Sequence, residues 1–464
     1  QLGVTENISV SGFVNIGGNL SVSGTSNVIG AASFQATVTA VGAATFKDDV
    51  SVSGNTRLLG TVTVGGAVSL ASSLSVGGVA NFANTVTIAG AVSLASTLSV
   101  GGASNFASTV TVVGAGTFKD DVSVSGNTRL LGTVTVGGAV SLASTLSVGG
   151  VANFANTVTV AGAVSLASTL SVGGASNFAS TVTVVGAAAF KSNVSVSGNV
   201  DIAGNVSVGG TLFAAGGITY DGNVSVSGNL AVGGNVSVGG TLSVTGAVSL
   251  ASTLSVGGAT NLLGTVTATG NTGFLGTVRV SGATSLEAGL VVGGKAEFND
   301  DVCVSGNSQL VGTLKVTGAT TVTGNTGFLG TVRVSGATSL EGALNVTGAA
   351  LFSSTVTIAG TAIFEGDVSV SGAVNIAGNT SVGGTFLATG KAEFEDDVSV
   401  SGNSNFGGTV TIGGAVSIAG ALSVGGATNL LGTVTATGNS GFLGTVRVSG
   451  LVSAEAGIRA VGII

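Results

Sequence analysis

Apolar and polar positions alternate in this chain on a fixed six-residue frame. From Ile8 onward the units read V-x-V-x-G-x: positions 1 and 3 are Val, Leu, Ile or Phe, position 2 is usually Ser or Thr, and position 5 is mostly Gly. Ile8-Ser9-Val10-Ser11-Gly12-Phe13 and Val446-Arg447-Val448-Ser449-Gly450-Leu451 stand in the same frame, and residues 8 to 463 make 456 positions, or 76 hexads, with no insertion or deletion. Period-2 alternation with β-branched residues predicts a short half-buried strand. Gly at position 5, with Asn, Ala or Thr at position 6, predicts a corner in which Gly accepts positive φ. Strand and corner then repeat, and the chain coils. The absence of Pro agrees, because each coil must donate its N–H groups to the next. The fold class expected is all-β: one long β-solenoid running through residues 8–464, preceded by a lead segment 1–7.

Longer correlations bear on coil size. Phe46-Lys47-Asp48-Asp49-Val50 returns twelve hexads on as Phe118-Lys119-Asp120-Asp121-Val122, and hexads of a Val type alternate with bulkier ones to give a 12-residue period. Thr272-Gly273-Phe274-Leu275-Gly276-Thr277 recurs nine hexads on, at Thr326, in the opposite phase. The hexad is therefore the unit, and its faces are interchangeable. A 12-residue coil of two hexads and an 18-residue coil of three both satisfy the pattern, as does a trimer of intertwined chains.

Composition narrows the function classes. Gly contributes 82 of 464 residues and charged residues 7%, yet 44% are apolar, enough to bury a core where a Gly/Ser-rich disordered chain has none. Net charge is −7 with Lys and Arg together only 12, which argues against nucleic-acid binding. No apolar stretch approaches the ~18 residues of a spanning helix. Glycine in nearly every hexad, one Tyr and no Trp also argue against a membrane barrel. The first residue is Gln, read as a chain whose leader has been removed or as a fragment. No His exists to act as general base or zinc ligand, and the Gly-x-Gly patterns belong to the repeat, so no catalytic residue, no cofactor and no small-molecule substrate is expected.

Four features carry weaker chemistry. Acidic pairs Asp48-Asp49, Asp120-Asp121, Asp300-Asp301 and Asp396-Asp397 are candidate Ca²⁺ ligands, although Asp also replaces Gly at corners for conformational reasons. Charges recur at an offset of eight (Asp49/Arg57, Asp121/Arg129, Arg279/Glu287, Arg333/Glu341, Arg447/Glu455) as candidate surface ion pairs. Asn7, Asn19, Asn193, Asn205, Asn223, Asn235, Asn345 and Asn379 open Asn-x-Ser/Thr sequons, sites for glycans in a secreted chain that the repeat also generates unaided. Cys303 stands where Ser or Thr usually does and reads as an outward replacement with no partner for an internal disulfide.

Strings such as Gly-Asn-Val-Ser-Val-Ser-Gly-Asn (222–229) and Thr-Asn-Leu-Leu-Gly-Thr-Val-Thr-Ala-Thr-Gly-Asn (260–271) resemble repeat shafts in fibres of marine phages and large algal viruses, and more distantly the hexad β-helices of bactofilin-type polymers. The resemblance implies a β-helical shaft or polymer at a virion or cell surface. Uncapped solenoid ends invite head-to-tail stacking, with contacts expected at Ile8, Val461, Ile463 and Ile464. The function expected is a structural, self-assembling filament subunit, extracellular or at a surface, whose partner is itself, with lateral bundling through a surface of little charge. The alternatives are a trimeric shaft of a viral fibre or adhesin and, behind it, an ice-binding solenoid. Ser and Thr mix irregularly at position 2, which weakens the ice-binding reading.

Overall fold

The computed structural model describes residues 1–461. Every regular element in them is a three-residue β-strand, one per hexad, beginning with β1 (Leu2–Val4), β2 (Ile8–Val10), β3 (Val14–Ile16) and β4 (Leu20–Val22). Strand pairing is parallel and joins each residue to the one eighteen further on: Leu2↔Leu20, Ile8↔Ser26 and Val14↔Ala32 open three separate sheets. Three hexads thus make one coil, and the fold is an 18-residue, three-faced parallel β-solenoid. The 12-residue coil is not formed. Each strand finds its neighbours eighteen residues before and after it in the same chain.

The chain falls into two compact units, Gln1–Gly234 and Asn235–Ile464. The first opens with β1, which occupies the lead segment and pairs with β4, so the hexad frame starts one hexad before Ile8. Its last strand is Leu230–Val232; the second unit runs from Val236–Val238 to Ile458–Ala460. Both are built alike. Position 1 and position 3 side chains point inward and position 2 points out, as in Val62-Thr63-Val64, where only the Thr is exposed. Backbone groups pair between successive coils: Val62 N–H donates to Val79 C=O at 2.8 Å, and Gly65 N–H to Phe46 C=O at 2.8 Å. Coils therefore satisfy one another's backbone, which is why Pro is excluded.

The 12-residue sequence period has a packing origin. Hexads of the type Ala-x-Phe recur on one face every second coil, since 12 and 18 coincide at 36. Phe46, Phe82, Phe118, Phe154 and Phe190 stack there with Val64, Val100, Val136 and Val172 between them. All are buried. Each large ring is matched by a small residue two positions earlier: Ala44, Ala80, Ala152, Ala188, and Gly116, where an added Cβ would lie 3.3 Å from the Phe118 ring. The interior keeps a near-constant volume per coil, as close packing demands. In the second unit Phe386, Phe394 and Phe406 form one cluster, with ring centroids 5.4 to 6.3 Å apart.

Corner glycine serves a different purpose from the one its sequence context predicts. Corner glycines such as Gly54, Gly60, Gly78 and Gly132 lie outside the positive-φ region, so left-handed backbone is not the reason for them. Successive corners sit directly on one another. A Cβ on Gly60 would lie 2.5 Å from the Gly42 carbonyl oxygen, and one on Gly258 would lie 2.6 Å from that of Gly240. Close approach of backbone to backbone selects Gly here.

Candidate functional site: corners, faces and terminal coils

Position 6 is the chemically busiest place on the surface. Its N–H points along the solenoid axis and is not used by the sheets. At many corners where the residue one coil earlier is Asn or Asp, the side-chain oxygen accepts that N–H. Asn7 accepts from Thr25 (2.8 Å), Asn193 from Thr211 (2.8 Å), Asn205 from Asn223 (2.9 Å) and Asp367 from Thr385 (2.7 Å). Links run in series at Asn307, Asn325 and Ala343, and at Asn379, Asp397 and Ala415. These are axial staples between coils, each replacing a water on an otherwise unpaired donor. Nothing in the sequence pattern named this role; the recurrence of Asn and Asp specifically at position 6 was the available signal.

The acidic pairs resolve into the same scheme. Asp49, Asp121, Asp301 and Asp397 accept from Ala67, Ala139, Ala319 and Ala415, at 2.6 to 2.7 Å. Their neighbours Asp48, Asp120 and Asp300 accept from the amide of the following residue at 2.9 Å. Asp396 occupies the matching corner position. Among the described residues no three His, Cys, Asp or Glu side chains converge on a point where a metal ion would sit. Seven of the sequon asparagines lie at exposed corners and Asn345 lies on an exposed strand position. At Asn7, Asn19, Asn193, Asn205, Asn235 and Asn379 the Oδ1 atom is engaged by the coil above.

Ion pairs form by coil stacking and local reach, not at the offset of eight. Among the described residues they are Lys315–Glu297 (2.8 Å), on paired strands, and Lys391–Glu393 (2.9 Å). The hydrogen bond and charge of Lys315 hold the Glu297 carboxyl below its ordinary range. Asp367 is held down in the same sense by the Thr385 amide and hydroxyl. Cys303 is exposed, between Ser285 and Thr321 of the adjacent coils, as its place in the hexad predicts. Tyr220 is buried, and burial pushes its phenol up.

The outermost described coils are open. At one end β1 to β3 lack neighbours below, leaving Leu2 exposed and Ile8 and Val14 half-buried, whereas inward residues of β4 are buried. At the other, Val452, Ile458 and Val461 are exposed. Leu430, Val434, Phe442, Val446 and Ile458 line a mouth of about 480 Å³ leading into the core there. Ile463 and Ile464 lie outside the described residues.

Comparison with family models, with curated proteins and with solved structures finds no match to this chain. The class that the fold defines is a parallel β-solenoid repeat protein.

Proposed function

We propose that this chain is a structural protein, a self-assembling subunit of an extracellular or surface filament built by end-to-end stacking of solenoids. One observation carries the reading. The open edges of the first and last described coils are built alike, from three-residue parallel strands in one hexad frame with apolar inward positions. A second copy continuing the ladder sets the strands opening at Leu2, Ile8 and Val14 parallel on those opening at Val446, Val452 and Ile458, position 1 to position 1 as between coils internally, with each sheet handed on to a neighbouring face. Closing such an edge removes apolar side chains from water and gives partners to a row of backbone donors and acceptors. The contact is heterologous and does not close on itself, so it propagates. The reading assigns the chain no catalytic role, no cofactor and no nucleic-acid or membrane partner.

A segment joined to either end would occupy the same edges. The chain would then serve as the shaft of a viral fibre or surface adhesin, the second reading that the uniform, loop-free coils support. The double variant Val452→Asp/Ile458→Asp separates the two when assembly is followed by sedimentation. End stacking predicts at least a tenfold drop in sedimentable polymer, with Thr357→Asp, on an outward face, as an unaffected control. Equal sedimentation of both variants and the parent rules the stacking contact out.

A further inference from the structure

The three edges of the first unit differ in chemistry. The edge that follows the face of β1 carries no charged residue from Val41 to Ala187: its corners read Val41-Gly42-Ala43, Leu59-Gly60-Thr61, Gly77-Gly78-Val79, Ala95-Ser96-Thr97, and then the same order again from Val113. The next edge holds Lys47-Asp48-Asp49, Lys119-Asp120-Asp121 and Lys191. On the uncharged edge, large aliphatic side chains stand in water: Val41 is 51% exposed, Leu59 46%, Val113 49% and Leu131 45%. The position they occupy alternates, two coils of Val and Leu followed by two coils of Gly and Ala.

We infer that this edge is a lateral interface with a second copy of the chain, packed antiparallel about a two-fold axis. The order of knobs and notches fits that partner over all eight coils, whereas a parallel copy staggered by two coils matches over six. With the two-fold axis between the coils of Ala95 and Val113, Val41 meets Ala167, Leu59 meets Gly149, Leu131 meets Gly77 and Val113 meets Ala95. Every knob faces a notch over eight coils, and the contact is isologous. A parallel copy at equal height opposes Val to Val and Leu to Leu. Charge fits the same register. Arg57 and Arg129, on the flank of the edge, face Ser147 and Ser75, so no cation opposes another. At ~4.8 Å per coil the seam is ~38 Å long, and with a width of about 10 Å it covers about 400 Å² per partner, or about 800 Å² in total, below the ~1,000 Å² of a stable specific interface and in the range of weak, transient contacts. The association is therefore weak and concentration-dependent. It does not involve the terminal coils and is independent of end stacking.

Cross-linking tests it. In a Cys303→Ser background, Val41→Cys and Ala167→Cys are placed together in the full chain, oxidised, and resolved on a denaturing gel. The two positions lie seven coils apart in one chain, about 34 Å at ~4.8 Å per coil, beyond the reach of an internal disulfide. The seam predicts a covalent dimer from the double-cysteine chain and at least tenfold less from Val41→Cys alone. Adding Leu59→Glu and Leu131→Glu, both outward, suppresses the dimer at least tenfold with the circular dichroism spectrum unchanged, whereas Ala71→Glu and Ala143→Glu on another edge leave it intact. No dimer, equal dimer from the single cysteine, or dimer insensitive to the two glutamates overturns the proposal.

Discussion

A corner residue in this molecule is judged by what stands eighteen positions before and after it. Ser, Asn, Asp and Ala do occur at position 5, as at Ser72, Asn84, Ser96 and Asp120, and each has Gly in the coil on either side. One Cβ in the stack is accommodated by small shifts; two in succession are not. Gly60→Ser, between Gly42 and Gly78, forces a local shift at the Gly42 carbonyl and is expected to lower hydrogen-exchange protection of its coil, but by less than a second side chain in the stack does. Gly90→Ser, between Ser72 and Ser108, is expected to cost about 1–3 kcal/mol locally, the usual cost of overpacking. Equal protection in the two variants contradicts the stacking rule. The same rule was readable without a structure. Position 5 side chains other than Gly often lie twelve apart (Ser72/Asn84, Ser96/Ser108) and never eighteen apart, which favours the 18-residue coil. Gly at a corner suggests φ first, and steric contact between distant residues leaves no local mark in the sequence. The axial staples were hidden for the same reason. Asp367 provides their pH signature: its native pKa lies below the ordinary value, so its contribution is present above the unfolded pKa of about 3.9 and is lost as pH falls through the native one. A carboxyl-carbon titration should place the Asp367 midpoint below that value, and a midpoint at or above it removes the staple.

Elements here are single three-residue strands, marginal alone and held by stacking. Their packing partners are set by the alternation of Phe and Val up one face, so the critical change is one that breaks the alternation. Val64 lies between Phe46 and Phe82. Val64→Phe sets three rings in succession and is expected to destabilise that coil and its neighbours by about 1–3 kcal/mol. The double variant Val64→Phe/Phe82→Val recovers part of the loss, because it restores volume. Local exchange rates over residues 56–88 report both, and rates that match the parent contradict a close-packed stack. Strand existence, inward positions and even the outward Cys303 were legible from period-2 patterning alone. Coil size was also present in the long repeats: their shifts of twelve and nine hexads are both multiples of three, whereas nine is not a multiple of two. The 12-residue period concealed this because it records which side chains fill the core and not how many residues close a coil.

For the whole molecule, function rests on surfaces and not on a pocket of reactive groups. Each coil hands the next an edge of parallel strands, and the outermost described coils leave that edge open with apolar residues around it. The uncharged edge of the first unit offers a second, weaker contact along the side. Together they predict growth along the axis first and pairing of filaments at higher concentration. The most direct test is negative-stain electron microscopy of the purified chain over a concentration series, with length and width measured for every particle. The account predicts unbranched filaments whose mean length rises with concentration, of a single width at low concentration and paired side by side only at the highest. Particles that stay one chain long at every concentration contradict it.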